Sequence, residues 1–409
     1  PTLLKMVHHG DTIVYNADAF NLPDGSMLDE LVRILPGARI DGNGQIFVNG
    51  RKISSLMLNG NEFFNGNPRM ALDNLVAYTV KDIKVYERQS DREKALGVAK
   101  DGRELPMVMD VNLKKQYSIG WMGSMEGGYG TDDRYMERLF LMRFSKQSRV
   151  TLYSDANNVG DSYTFVNTGR WNENRYTAGL HKIMKGGLDV SVNDRRERYK
   201  VNGNVEVNRT KSTYEDYTST TEFYPSGDIH QRKSSNQSYR NTNLTSRLNI
   251  SVAPRARTYL KVVPYANYQN FSNGNAILSA DLNTIAEEKY RGELLDSVFS
   301  PAGMSGIYRK LVNSTLRNNS LGKGHNVSTG TSLEYSHRPK YNDDRLTVKG
   351  NFSYGNAQNW SVNDYVHKTA AQDAHRYKYS EGGTNRYSYM VGRNMCTACP
   401  AFQGRPPPV

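Results

Sequence analysis

A few short stretches of this chain carry residue types that could do chemistry. Cys396 and Cys399 are spaced as half of a zinc site or as a redox pair. No second pair and no βαβ pattern accompanies them, so they are interpreted as incidental. Residues 41–44 (Asp-Gly-Asn-Gly) imitate the start of a calcium loop, but Lys52 stands where that loop needs its bidentate glutamate. A hairpin turn is the better interpretation of that stretch.

Other candidates fail for similar reasons. The glycine-rich run 123–130 lies in a strand-like region, with no helix after it to bind phosphate. His8 and His9 have no partner at helical spacing. P-loop, zincin and nucleophile-elbow motifs are not found. The sequence therefore predicts no catalytic residue, no metal site and no cofactor, and the chain is expected not to be an enzyme.

Composition favours a strand-rich chain. Among 409 residues, 37% are hydrophobic, yet there are 27 tyrosines and 35 glycines, too many ring and turn residues for simple disorder. Apolar runs are too short for a transmembrane helix, although strands of a membrane barrel would not show as such runs. The net charge of +12 is spread among acidic residues, which disfavours nucleic acid and favours a lumen or rim that attracts anionic solutes or lipid.

The first part of the chain predicts a compact α+β module. Asn49-Gly50 and Asn59-Gly60 each follow a run that contains apolar residues, and Asn-Gly suits tight hairpin turns. Ser26 could cap a helix that buries one apolar face and stops at Pro36-Gly37. Asn67-Pro68 could begin a second helix. Residues 82–87 and 107–113 alternate as strands.

From Gly120 onward, apolar and polar residues alternate over long stretches, as in 199–208 and 244–252. Such strands could face lipid on one side and a watery lumen on the other. A soluble sandwich with a solvated face is the alternative. Strands of about ten residues, and aromatic residues near strand ends, favour the barrel. Short turns then alternate with long loops, the longest expected at 211–239 and 272–325.

The module closely resembles the plug domain of TonB-dependent outer-membrane receptors, and 127–135 with 157–159 resembles the first barrel hairpin of the subgroup whose plug follows a small β-sandwich. The residues that carry the plug motif, with a structural or gating role, are Leu35, Pro36, Gly37, Asn49, Gly50, Asn59, Gly60, Phe63, Phe64, Gly66 and Pro68.

The resemblance implies a mainly β fold, with a small α+β plug and a transmembrane antiparallel β-barrel. It implies a nutrient transporter in the outer membrane of a Gram-negative bacterium. Its partners would be TonB, outer-membrane lipid and a surface lipoprotein. Neither the cargo nor its binding residues are indicated.

The expected division is 1–20 as the end of a preceding region, 21–115 as plug, 116–385 as barrel and 386–409 as a non-strand tail. The barrel region holds roughly ten to twelve strands where plugged transporters need about 22, so the chain is interpreted as a fragment that lacks the signal peptide, the sandwich domain and the TonB box. Two alternatives stay open: a non-transporting surface or adhesion barrel, and a soluble β-rich binding protein or glycan-active enzyme.

Overall fold

The computed structural model describes residues 4–41, 44–62, 71–72, 74–98, 105–145, 147–161, 179–194, 196, 198–301, 306–340, 344–369 and 371–396. Over these residues the chain forms a small α+β domain and one long antiparallel sheet. The predicted fold class, mainly β with a small α+β part, is confirmed. No helix in this part of the chain is long and apolar enough to cross a membrane.

The small domain is built on an eight-stranded sheet in the order β1-β2-β7-β8-β5-β4-β3, with β6 paired to β5. Its strands are β1 (Met6–His9), β2 (Thr12–Asn16), β3 (Ala38–Ile40), β4 (Ile46–Val48), β5 (Arg51–Leu58), β6 (Asn61–Glu62), β7 (Val80–Glu87) and β8 (Met107–Leu113). The β5–β8 pair is parallel and the other pairs are antiparallel.

Two helices with defined bounds belong to this domain, α1 (Leu28–Ile34) and α2 (Asp91–Leu96). Leu28, Leu31 and Val32 of α1 are fully buried, as their helical spacing predicts. The predicted Ser26 cap is wrong, since Met27 occupies the cap position and makes no side-chain cap hydrogen bond. Ser26 instead uses its backbone carbonyl, which accepts from Ala77 N–H at 2.8 Å.

The large sheet is a meander of ten antiparallel strands in which each strand pairs with the next in sequence. Its strands are β9 (Gly120–Gly130), β10 (Arg134–Phe144), β11 (Ser148–Asn157), β12 (Leu180–Asn193), β13 (Tyr199–Glu222), β14 (Ile229–Val252), β15 (Thr258–Leu282), β16 (Val312–His337), β17 (Arg345–Thr369) and β18 (Asp373–Cys396). Helices α3 (Glu293–Val298) and α4 (Gly306–Arg309) lie between β15 and β16.

The strands differ from the expected ranges in three places. Strand β1 pairs with β2, and β2 pairs with β7, so Met6–Asn16 lies in the sheet of the small domain. Strand β18 runs to Cys396, so the predicted non-strand tail does not begin at 386. The predicted loops 211–239 and 272–325 are largely strand, because β13 to β16 continue through them.

The two faces of the large sheet differ in chemistry. On β11 the buried positions are mainly polar, among them Arg149 and Asp155, whereas Val150 and Leu152 on the other face are exposed. We call these the inner and the outer face. An outer row of directly paired residues runs Val192–Val201–Ile250–Val262–Leu333 across five strands.

Most of the outward aliphatic side chains lie within a limited height of the sheet, which we call the apolar band. One limiting row is Tyr199–Val252–Leu260–Tyr335–Val348, and the other is Val207–Leu244–Tyr268–Val327. On β14 the band therefore runs from Leu244 to Val252, close to the 9–11 residues that a tilted strand needs to span a membrane.

The small domain packs on the inner face, near the short turns that join β10 to β11, β12 to β13, β14 to β15 and β16 to β17. Phe140, Met142, Phe144 and Tyr153 of the large sheet share one hydrophobic core with it. Contacts also come from residues beyond β16, on the other half of the sheet. The sheet therefore curves around the small domain.

Candidate functional site

The functional site that the structure offers is the interface between the small domain and the inner face, and its first part is the Asn49-Gly50 turn. Both residues have positive φ, 49° and 78°, and they join β4 to β5 as a two-residue hairpin. Asn49 N–H donates to the carbonyl oxygen of Gly37 at 2.9 Å. The turn is therefore fastened to the chain that leaves α1.

Position 37 has no room for a side chain beside Asn49. Its φ is +76°, and a Cβ there would lie 2.2 Å from Asn49 Oδ1. Immediately before it, the Pro36 carbonyl accepts from the hydroxyl of Tyr15 at 2.8 Å. Tyr15 is fully buried, and burial raises the pKa of its hydroxyl. The Leu-Pro-Gly stop thus joins β2, α1 and the first hairpin.

The Asn59-Gly60 turn is fastened to β8 by side chains. Asn59 Oδ1 accepts from Leu113 N–H at 2.9 Å, and Asp110 Oδ1 accepts from Gly60 N–H at 2.8 Å. Burial raises the pKa of the Asp110 carboxyl, although Gly60 N–H and the Lys84 and Arg88 cations oppose that rise. The turn directs β6 toward the wall formed by the inner face.

Strand β6 meets the wall through polar contacts. Asn193 of β12 donates a hydrogen bond from its side-chain amide to Asn61 Oδ1. Arg149 of β11 donates to the Glu62 carbonyl oxygen at 3.1 Å and pairs with Asp189 at 2.9 Å. Arg149 and Asp189 are only 6% and 3% exposed. A buried charge pair on the wall therefore holds the backbone of the small domain.

A second contact region lies at α2, opposite the first. Arg92 of α2 pairs with Glu334 of β16 at 2.7 Å, and Lys200 of β13 pairs with Asp91 at 2.9 Å. Arg338 donates to the Gly97 carbonyl oxygen at 2.6 Å. Burial opposes the charge on Asp91, but Lys200, Arg88 and Lys94 outweigh it and lower its pKa.

The structure brings the predicted motif residues together in two groups. Gly37, which follows Leu35 and Pro36 directly, contacts the Asn49-Gly50 turn. Asn59 and Gly60 lie beside β8 and lead into the wall contact. The hairpin geometry is as predicted, and the gating role stays a prediction. Phe63, Phe64, Gly66 and Pro68 lie outside the described residues.

Sequence reasoning missed α2 and the wall residues. Ser90 and Glu93 form a complete capping box at the start of α2, and the S-x-x-E spacing was visible in the sequence. For the wall residues Arg149 and Asp189, the sequence shows only the alternation of polar and apolar residues. That alternation predicts which face of the sheet they occupy but not which residue they contact. Within the described part of the chain, no three His, Cys, Asp or Glu side chains cluster as metal ligands.

No protein-family model and no curated protein matches this chain. Among solved structures, it is similar to the ferric yersiniabactin uptake receptor FyuA from Yersinia pestis, with 10% identity and a TM-score of 0.23 over 93% of this chain and 61% of that chain. It is also similar to the ferric citrate transporter FecA, with 10% identity and a TM-score of 0.24 over 93% of this chain and 60% of that chain. The ferric preacinetobactin receptor BauA from Acinetobacter baumannii is similar with 9% identity and a TM-score of 0.25 over 92% of this chain and 75% of that chain.

The chain thus spans about three fifths of FyuA and FecA. At TM-scores this low the likeness carries no weight for function, which is inferred below from this chain's own residues.

Proposed function

We propose that this chain is part of a TonB-dependent receptor of the Gram-negative outer membrane, and that the whole protein takes up a nutrient. One observation carries the proposal: a small α+β domain lies against the polar inner face of a curved sheet, at the height of an apolar band on the outer face. The small domain is the plug, and the plug motif of the sequence forms its hairpins.

The contacts at the interface suit a plug that moves. Away from the shared apolar core, ion pairs and hydrogen bonds hold the domain, chiefly at β6 and at α2. Such contacts can be exchanged for water when the domain is displaced, at a lower cost than exposing apolar surface. The partners in this proposal are TonB, outer-membrane lipid and a surface lipoprotein; the chain does no covalent chemistry.

A cysteine placed under the plug tests the proposal. Ser191 lies on the inner face of β12, is 3% exposed, and adjoins the same cavity as Asn59 and Asn61. In whole cells that make the full protein with Cys396 and Cys399 replaced by Ser, S191C is expected to react with a membrane-impermeant maleimide only when the cells are energised. A protonophore or loss of TonB should abolish the labelling.

The next residue supplies the matched control. Val190 lies on the outer face, so V190C should react with a lipid-soluble maleimide and resist the impermeant one in either state. Energy-independent labelling of S191C would contradict transport. Labelling of V190C by the impermeant reagent would contradict the membrane location itself.

A non-transporting surface protein is the second candidate, and the tall strands favour it. Strands β13 to β17 continue well beyond the apolar band, and the segment with α3 folds back on their outer face, where Glu288 pairs with Arg232 at 3.4 Å. Such an extension offers a large surface to other molecules. This candidate predicts that S191C stays unlabelled in both energy states while V190C behaves as above.

A further inference from the structure

The register of the large sheet aligns cations that are far apart in the sequence. Lys182 on β12 pairs directly with Lys211 on β13, and Lys211 pairs directly with Arg240 on β14. The same row continues through Ser272 to Lys323. We call Lys182, Lys211, Arg240 and Lys323 the basic row.

The basic row lies on the outer face, just beyond the apolar band. Lys211 follows Val207 by four residues on β13, and Arg240 precedes Leu244 by four on β14, which at 3.3 Å per residue is about 13 Å along a strand. Arg209 lies halfway. A headgroup layer extends about 5–8 Å beyond the hydrocarbon on each side. Tilted strands and long, bending side chains bring these cations to that depth.

Direct pairing of like charges is unfavourable. Neighbouring strands are about 4.8 Å apart, and equal charges placed opposite each other destabilise the pair. All four cations of the basic row are exposed, and none forms an ion pair with a described residue. The two neighbouring rows on the outer face carry no acid. The row nearer the apolar band is Met184, Arg209 and Thr242, and the row farther from it is Leu180, Thr213 and Ser238. Within the described residues, the repulsion between the paired cations is therefore left to be relieved from outside.

An interfacial tryptophan continues the same row. Trp360 pairs with Lys323, and the Lys323 Nζ lies 5.4 Å from the centre of the indole ring. Tryptophan prefers the level of lipid headgroups, where one end of the ring meets hydrocarbon and the other water. Glu381 follows Trp360 as the nearest acid of the row, on β18 and well away from the three paired cations.

We propose that the basic row binds the phosphate groups of a phosphorylated lipid headgroup in the leaflet at this end of the apolar band. Arginine and lysine are the usual phosphate ligands, and three of them on adjacent strands match a headgroup that carries more than one phosphate. The acyl chains of that lipid would lie on the apolar band. The inference rests on the proposed membrane location.

The test is a titration of the chain in neutral detergent with lipid A, as a lipid that carries two phosphates, followed by native mass spectrometry. Lipid A is expected to bind more tightly than its dephosphorylated form. The triple variant K182Q/K211Q/R240Q should lose on the order of a hundredfold in affinity, because each cation near an anionic lipid surface contributes roughly a factor of five. Inorganic phosphate at the same concentration should not compete.

A matched variant removes three exposed cations elsewhere. The residues changed in K368Q/R376Q/K378Q lie where β17 ends and β18 begins, away from the basic row. This variant should bind lipid A as tightly as the unmodified chain does. Equal losses in the two triple variants would overturn the proposal, as would equal affinity for the two lipids. Full competition by inorganic phosphate would show a site for soluble anions instead.

The two inferences fail in different ways. If the chain does not insert into vesicles of phosphatidylcholine alone, the proposed membrane function fails. If it inserts there but shows no preference for lipid A, only the basic row loses its assigned ligand.

Discussion

At the scale of single residues, Gly37 is the position where backbone conformation and packing coincide. A Cβ at this positive φ costs about 1–2 kcal/mol by strain alone, and here it would also collide with Asn49. We expect G37A to lower the free energy of unfolding of the small domain by more than G25A does, because Gly25 has a similar φ of +85° and open space around it. Urea unfolding followed by limited proteolysis measures both.

The double variant G37A/N49G separates the two causes. It removes the colliding amide and keeps the strain, so its stability should return to near that of G25A. If G37A and G25A prove equal, the contact with Asn49 contributes nothing.

Two carboxylates of the small domain should respond to pH with opposite signs. The folded-state pKa of Asp110 is raised, so its stabilising contribution is present below the unfolded pKa and is lost as pH rises through the folded value. D110N keeps an acceptor for Gly60 N–H and should be more stable than the unmodified domain at pH 7, by about 1.4 kcal/mol for each unit of the shift. At pH 4 the two should be similar.

Asp91 should behave in the reverse way, since its folded-state pKa is lowered. Its contribution is present above the unfolded pKa and is lost as pH falls through the folded value. D91N should therefore be less stable than the unmodified domain at pH 7 and indistinguishable from it at the lowest pH. Denaturant midpoints measured across pH 3–8 test both carboxylates, and equal slopes for D110N and D91N would contradict the assignment.

At the scale of elements, α2 depends on its cap. The Ser90 hydroxyl accepts from Glu93 N–H at 3.2 Å, and S90A should cost about 1 kcal/mol. Amide exchange should rise first in α2, because that helix is short. The control is S118A, which removes an exposed hydroxyl that donates to the Lys115 carbonyl oxygen. It should change neither the free energy of unfolding nor amide exchange in α2 by much.

The alternation of β13 makes a second prediction at this scale. Val205 lies on the outer face and Asn204 on the inner face. In vesicles, V205R should cost about 2–4 kcal/mol of folding free energy because its charge would face lipid in the proposed membrane location, whereas N204R should cost much less. Equal costs for the neighbouring substitutions would contradict the assignment of the two faces.

Elements were predictable where the signal was local. Asn49-Gly50 specified a hairpin because both residues tolerate positive φ, and the apolar alternation of 107–113 matched β8. The parts of β13 and β14 that extend beyond the apolar band read as loop in the sequence, because Ser, Thr, Tyr and charged residues occupy both faces there and no period of two is visible. Their strand pairing comes from neighbouring strands, which composition does not reveal.

The candidate site was less predictable than the fold. The motif residues of the two hairpins were found from sequence, but their wall partners Arg149, Asp189 and Asn193 are decided by long-range register. The basic row is invisible for the same reason, since Lys182, Lys211 and Arg240 become neighbours only when three strands pair. Their spacing along the chain does not indicate that these strands pair in this register.

At the scale of the whole molecule, the buried Arg149–Asp189 pair should couple the two domains. R149M leaves Asp189 without its closest partner in a buried site and frees the Glu62 carbonyl, so we expect a loss of about 3–5 kcal/mol. The small domain should then become sensitive to protease before the large sheet unfolds. R149M/D189L, which removes both charges, should recover much of the stability but not the protection of the small domain.

The N-terminal hairpin decides how the small domain would respond to mechanical force. Met6 pairs with Tyr15, so a pull on Met6 loads the β1–β2 bonds one after another, as in opening a zipper. The next step would draw Tyr15 out of the core and release Pro36, while α2 stays fixed to the wall by Arg92 and Lys200. The domain would therefore yield from one edge at low force and keep its opposite side as a fixed hinge.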